Sequence, residues 1–310
     1  MTDRGLCLYN WRVLFHHQHS IIIHTILMET SNSNSESENV KSKIVEYKYD
    51  GNGTLTISGS GEIPKNLLKE VSTFKVGTLV IQGEVESIGE DVFRGFSFLT
   101  KVEINSPIQS IGDNAFCGCD RLESIKIPAS VTSLGSYVFH GCDHLEEIRS
   151  ESLRYPAEDG VLFKVADDRK RILVRYPSNR KGKHYTIPKD VVEIEEYAFA
   201  KSRNLVSITI PKTVKRIGCC AFDTCWNLRL IFVSWLRLPK NIDRRIFGFI
   251  TKPSKILLIV PEERKSAYKA DQVWKKCMVV ERSYPERSAS YRLRLLRSVR
   301  SKISLQPRYL

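Results

Sequence analysis

A chain of 310 residues with 42% hydrophobic and 27% charged residues can bury a substantial core, as one large domain or two ordinary ones. No apolar run reaches the roughly 18 to 20 residues that span a bilayer, which excludes a membrane-spanning helix, and eight cysteines are too few for a disulfide-dense secreted scaffold. The net charge of +13 is unevenly placed: residues 281–310 hold eight Lys/Arg against two Glu, which is +6 and leaves +7 for the other 280 residues.

Residues 1–43 read as a disordered leader. Its apolar run, Ile21 to Leu27, is short, is interrupted by His24 and follows HHQH, so it lacks the clean core of a secretory signal. Translation beginning at Met28 instead of Met1 is the alternative, and SNSNSESEN then reads as polar linker. From residue 44 to 80 the pattern is strand-rich, with the glycine pairs Gly51/Gly53 and Gly59/Gly61 expected at hairpin turns.

A 23-residue repeat follows. One copy runs Ile111-Gly-x-x-Ala115-Phe116-x-x-Cys119-x-x-Leu122-x-x-Ile125-x-Ile127-Pro128-x-x-Val131, and the frame starts again at Ile88, Leu134, Ile194 and Ile217. Its aromatic falls at Phe93, Phe116, Phe139, Phe199 and Phe222, and a small framework slot holds Cys119, Cys142 and Cys225. In Leu-x-x-Ile-x-Ile the apolar residues alternate, the mark of a short strand with one buried face, and Pro ends it because it cannot donate to the next rung. Ile-Gly is expected to turn the chain. No copy can bury its own apolar face, so copies must stack into a solenoid with a parallel sheet on its concave side.

The repeats occupy residues 81–150 and 187–250. Between them, residues 151–186 predict a protruding hairpin built on Val161–Val165 and Ile172–Tyr176. Residues 251–280 predict a C-terminal cap with a helix over Ala267–Trp274, which completes a repeat domain spanning 44–280. In the basic tail, 281–310, Leu293, Leu296, Val299 and Ile303 lie near one helical face with arginines elsewhere. A disordered terminus accounts for such a segment; contact with an anionic membrane or with nucleic-acid phosphates is the functional reading.

The pattern IGxxAFxxCxxLxxIxIPxxVxxIG resembles the BspA-like leucine-rich-repeat family, mostly bacterial surface-associated proteins. YDGNGTLTISGSGEIP (49–64) resembles the leader often placed before such repeats, DGVLFKVADDRKRILVRYP (159–177) the hairpin that interrupts them, and IVPEERKSAYKADQVWKKC (259–277) their closing strand and helix. The resemblance implies a non-catalytic module for protein–protein interaction, with adhesion at a bacterial cell surface as its finer form. An intracellular scaffold with a basic tail is the alternative.

No Walker A loop, Gly-x-Ser-x-Gly elbow or His-Glu-x-x-His is present, so no catalytic residue, metal or cofactor is expected and no small-molecule substrate. His140 and His144 flank Gly141-Cys142, but both sit at variable positions of the repeat and read as surface residues. Asp50-Gly-Asn52-Gly-Thr54 echoes a calcium loop, yet the glycine required at its sixth position is Leu55. The pairs Glu195-Glu196 and Asp167-Asp168 read as solvated turns. What remains for function is the outward face of the strands: Lys101, Glu103, Ser124, Lys126, Glu147, Arg149, Ser207 and Thr209, then an apolar end at Leu230, Phe232 and Trp235.

Overall fold

In a computed structural model of the chain, residues 23–28, 43–166, 168–248 and 252–281 are described. They fall into two compact units. Unit 1 runs to Val165 and takes in Arg175–Arg180; unit 2 holds Ala166–Val174 and the chain from Lys181 onward.

Unit 1 opens with three antiparallel strands, Ile23–Met28, Lys43–Tyr49 and the long Thr54–Ile63. The first lies within the segment read from sequence as a disordered leader; the rest of that leader is outside the described residues. Gly59 and Gly61 are not at a turn. Both lie inside Thr54–Ile63, where a Cβ on Gly59 would sit 1.9 Å from the Ile44 carbonyl oxygen, so the neighbouring backbone leaves room only for glycine there. The Gly51/Gly53 pair does turn, with the Asp50 carboxylate accepting the Asn52 and Thr54 amides at 2.8 and 2.9 Å.

Thr54–Ile63 serves two parallel ladders at once. Its first half pairs with Thr78–Gln82, which pairs with Lys101–Asn105; its second half pairs with Glu84–Ile88, then Ser110–Ile111, then Ser133–Leu134. Ser124–Ile127 pairs in the same sense with Glu147–Ser150. From Thr78↔Lys101, Ser87↔Ser110, Ser110↔Ser133 and Ser124↔Glu147, every pairing joins residues 23 apart, so the sequence period is the pitch of one turn of a parallel β-solenoid. The second ladder corrects the expectation that Ile-Gly simply turns the chain: the residue before the Gly is itself a strand residue, and Ile88, Ile111 and Ile217 each pair with strands on both sides.

A third line of contacts closes each turn. On the return segment the amides of Asp91, Phe93 and Gly95 donate to the carbonyls of Asp113, Ala115 and Cys117, and those of Asn114, Phe116 and Gly118 donate to Ser136, Val138 and His140, all at 2.7–3.1 Å. Two residues per turn adopt left-handed backbone to allow this, at Asp91 and Gly95, Asn114 and Gly118, Tyr137 and Gly141. Inside, Phe93, Phe116 and Phe139 stack with centroids 5.2 and 6.2 Å apart.

Unit 2 repeats the plan. Its long-strand ladder runs His184–Thr186, Ser207–Ile210, Leu230–Val233, Leu257–Val260, Met278–Glu281, all parallel. Its second ladder starts from Arg171–Leu173, which pairs in parallel with Val191–Ile194, followed by Arg216–Ile217 and Asn241–Ile242. The strand at 171–175, one arm of the predicted hairpin and a sheet neighbour of its other arm, is thus also a rung of this ladder; Leu173 is fully buried, as are Val161, Leu162 and Phe163. A tighter hairpin lies just before it, where Ala157–Glu158 pairs with Val161–Leu162 across Asp159-Gly160, both at positive φ as a two-residue turn demands. The C-terminal helix is shorter than expected, Lys265–Ala270, because the Asp271 carboxylate accepts the amides of Val273 and Trp274 and starts a separate 3-10 turn at Trp274–Lys276.

Candidate binding surface

Alternation along the long strands decides which side chains face out. In Ser124–Ile127, Ile125 and Ile127 are buried while Ser124 and Lys126 are exposed; in Glu147–Ser150, Ile148 is buried and Arg149 exposed. Register then stacks the outward residues, with Ser124 beside Glu147 and Lys126 beside Arg149. On the neighbouring rung Lys101 and Glu103 face out in the same way.

The charges on this face are already matched. Lys101 Nζ lies 2.5 Å from Glu103, Arg149 Nη2 2.8 Å from Glu147 and Lys126 Nζ 2.6 Å from Glu151. All are solvent-exposed, so each pair adds little to stability, about 0–1 kcal/mol. A surface of this kind offers alternating donors and carboxylates over several rungs with no net charge, which suits hydrogen-bonding contact with another protein more than capture of a polyanion.

In unit 2 the outward residues differ. Thr209 is half-buried and Ser207 is buried at 3% exposure, its Oγ 2.7 Å from His184 Nδ1, so Ser207 offers no accessible contact. Farther along, Leu230, Leu257 and Ile259 form a buried cluster with Phe232 packed against it. Trp235, grouped with them by sequence, instead points inward: it is 1% exposed, donates from Nε1 to the Val214 carbonyl at 2.8 Å and packs 5.9 Å from Trp274.

The framework cysteines make a bond that sequence reasoning missed. The Sγ atoms of Cys119, Cys142 and Cys225 donate to the carbonyls of Phe93, Phe116 and Phe199 at 3.3, 3.2 and 3.1 Å, each reaching back to the previous turn. The constant 26-residue offset between the cysteine slot and the earlier phenylalanine was visible in the repeat, but nothing in it says that the thiol points at a carbonyl. Burial pushes the Cys142 thiol up to about 12 and the Cys119 thiol well above its ordinary value. These are packed thiols, unsuited to nucleophilic chemistry. All seven cysteines of the described residues, Cys117 included, are free thiols.

The other chemical candidates stay apart. His144 Nδ1 is 2.8 Å from the Asp120 carbonyl oxygen at the surface, and Asp168 is ion-paired with Lys170; Asp167 lies outside the described residues. Among the described residues no three His, Cys, Asp or Glu side chains converge to hold a metal. A cleft of about 440 Å3 in unit 2 is lined by Lys170, Lys212, Lys215 and Arg237 around Trp235, with neither a histidine nor a carboxylate in its wall.

Residues 62–158 and 177–262 match the family model described as the BspA type leucine rich repeat region, in six copies. Among solved structures, a leucine rich cell surface protein from Faecalibacterium prausnitzii is similar at 18% identity, covering 85% of this chain and 98% of its own, with a TM-score of 0.46. Leucine-rich repeat proteins from Eubacterium ventriosum (22% identity, 72% of this chain and 78% of its own, TM-score 0.39) and Bacteroides ovatus (18%, 79% and 76%, 0.42) are similar as well. No curated protein sequence matches the chain.

Proposed function

The chain belongs to the BspA-type leucine-rich repeat family, and from that membership we propose that it is a non-catalytic module that binds a protein ligand on the outward strand face of unit 1. One observation carries the reading: Lys101, Glu103, Ser124, Lys126, Glu147 and Arg149 project from three rungs of identical pitch, while the residues alternating with them turn inward, Ile125, Ile127 and Ile148 fully buried and Val102 and Ile104 half-buried. A face whose side chains change without disturbing the core is what a binding surface built on repeats requires. Catalysis needs an activated nucleophile or a poised acid–base pair, and the buried thiols and self-paired surface carboxylates provide neither.

The test is a screen for protein ligands with the native chain, followed by the variant Lys126→Ala/Glu147→Ala/Arg149→Ala. Removing three exposed side chains should leave the melting temperature within about 2 °C and weaken binding at least tenfold. Unchanged binding would rule this face out. Surface adhesion is the finer form of the proposal, supported by the family alone. Fractionation of the native protein checks it, and a purely cytosolic location would favour the scaffold reading.

A further inference from the structure

Charge is divided unevenly between the two units. Residues 43–165 and 175–180, in unit 1, hold 14 Lys/Arg against 18 Asp/Glu, whereas residues 166–174 and 181–281, in unit 2, hold 23 against 12. Unit 2 is thus the basic part of the molecule, at +11 against −4. Several of its cations are matched: Arg171 pairs with Asp190, Arg216 with Glu193 and Arg245 with Asp243. The wall of the 440 Å3 cleft differs. Among the described residues no carboxylate pairs with Lys212, Lys215 or Arg237 there, and all three are exposed. Lys170, paired with Asp168, lines the cleft as well. The backbone beneath these cations is anchored. Pro211 ends the strand Ser207–Ile210, and the turn after it carries Lys212 and Lys215 to the start of Arg216–Ile217. The Lys215 amide donates to the Val192 carbonyl at 2.7 Å, and its Nζ to the Lys212 carbonyl at 2.9 Å. One turn further on, the Trp235 bond to the Val214 carbonyl holds the segment of Ser234 to Arg237 against that corner, and Tyr268 Oη donates to the Trp235 carbonyl at 2.9 Å. Apolar surface lies among the cations, from Val192, Trp235 and Leu236, the last 64% exposed.

We propose that this cleft is a second ligand site, separate from the strand face of unit 1, and that it takes an acidic peptide segment of a partner protein, with an apolar side chain set between its carboxylates. Like charges gathered around one concavity repel one another, and an anionic ligand relieves that repulsion while drawing its partner in from solution. A volume of about 440 Å3 lies in the range of ligand clefts and holds a short stretch of chain, not a folded domain. The apolar surface selects among polyanions. A sulfated or uronic-acid polysaccharide has no side chain with which to cover Leu236. A single-stranded nucleic acid would stack its bases on an exposed aromatic ring, and Trp235 is only 1% exposed. A peptide supplies both parts, carboxylates for the lysine ammoniums and the Arg237 guanidinium and an apolar side chain for Leu236.

The experiment uses the full-length chain and a fluorescein-labelled peptide of glutamates around a central leucine, with binding read by fluorescence anisotropy at low ionic strength. Lys212→Glu/Arg237→Glu should weaken binding at least tenfold, with the melting temperature within about 2 °C because both side chains are exposed. Lys255→Glu/Lys269→Glu makes the same change of charge at exposed positions of unit 2 outside the cleft and should weaken binding less than threefold. Leu236→Ser should lower the affinity several-fold for this peptide and leave unchanged the affinity for one with serine in place of the leucine. The variant Lys126→Ala/Glu147→Ala/Arg149→Ala should bind the peptide as the native chain does, so the two sites are tested independently. Four results overturn the proposal. No binding by the native chain would do so, as would equal losses from the two charge-reversal pairs, which would make the attraction a diffuse field. Tighter binding of heparin than of the peptide, unaffected by Leu236→Ser, would favour a polysaccharide. A dimer mass in solution that Lys212→Glu/Arg237→Glu abolishes would assign the cleft to a second copy of the chain.

Discussion

A left-handed backbone conformation costs an ordinary residue about 1–2 kcal/mol and costs glycine almost nothing. Among the described residues five turns have two such positions each, and they are filled unevenly. The second holds Gly95, Gly118 and Gly141 in unit 1 but Lys201 and Thr224 in unit 2. Gly118→Ala should therefore destabilise unit 1 by about 1 kcal/mol, while Lys201→Gly should be neutral or stabilising by up to about 1 kcal/mol. Urea denaturation followed by circular dichroism measures both; a loss on Lys201→Gly equal to that on Gly118→Ala would contradict the argument. The first position is occupied by Asp91, Asn114, Tyr137, Tyr197 and Cys220. Nothing about that set announces a shared conformation, which is why it could not be read from the sequence: the return segment imposes it through amides that must reach the next turn.

At the scale of elements, the ladder of aromatic rings ties neighbouring turns together. Phe116 is fully buried and stacked on both sides, against Phe93 and Phe139, so its loss removes contacts from three successive turns. Phe116→Ala should cost about 3–5 kcal/mol, and Phe116→Leu less than half of that because most of the volume is retained. Guanidinium denaturation monitored at several wavelengths would show it, and a cost below about 2 kcal/mol would mean that the turns collapse easily around the gap. These rings, the Leu-x-x-Ile-x-Ile strands and the 23-residue pitch were legible because each puts an apolar residue at a fixed interval. The second ladder was not. Its strands, such as Ser110–Ile111 and Ser133–Leu134, are two residues long, too short for any alternation to register. The strand at Arg171–Arg175 was legible as a strand but not as a rung, since RILVR carries no mark of which neighbour it will pair with. The candidate surface was legible in unit 1, where alternation alone separates Lys126 from Ile125. It was less so at Ser207, whose burial beside His184 depends on a neighbouring strand 23 residues away.

Over the whole molecule the buried acids that remain protonated set the alkaline limit of stability. Burial pushes the thiols of Cys142 and Cys277 up to about 12, raises Cys119 strongly, and raises the phenols of Tyr47 and Tyr268 above their usual value, the carboxylates of Glu70 and Asp271 adding to the last two. In the unfolded chain the same thiols ionise near pH 9. Below that pH both states hold the proton and these groups contribute no pH dependence. Above it the unfolded state loses protons that the folded state keeps, so stability falls steadily until the folded values near 12 are reached. The melting temperature should hold level from about pH 7 to 8.5 and then decline toward pH 11. Replacing Cys142 by Ala removes one titrating group from the core, so its variant, although less stable at neutral pH, should show a shallower alkaline decline. Calorimetry at half-unit intervals from pH 7 to 11 reads both slopes. Parallel curves for the two proteins would mean that ionisation of the tyrosines, and not of the thiol ladder, sets the limit.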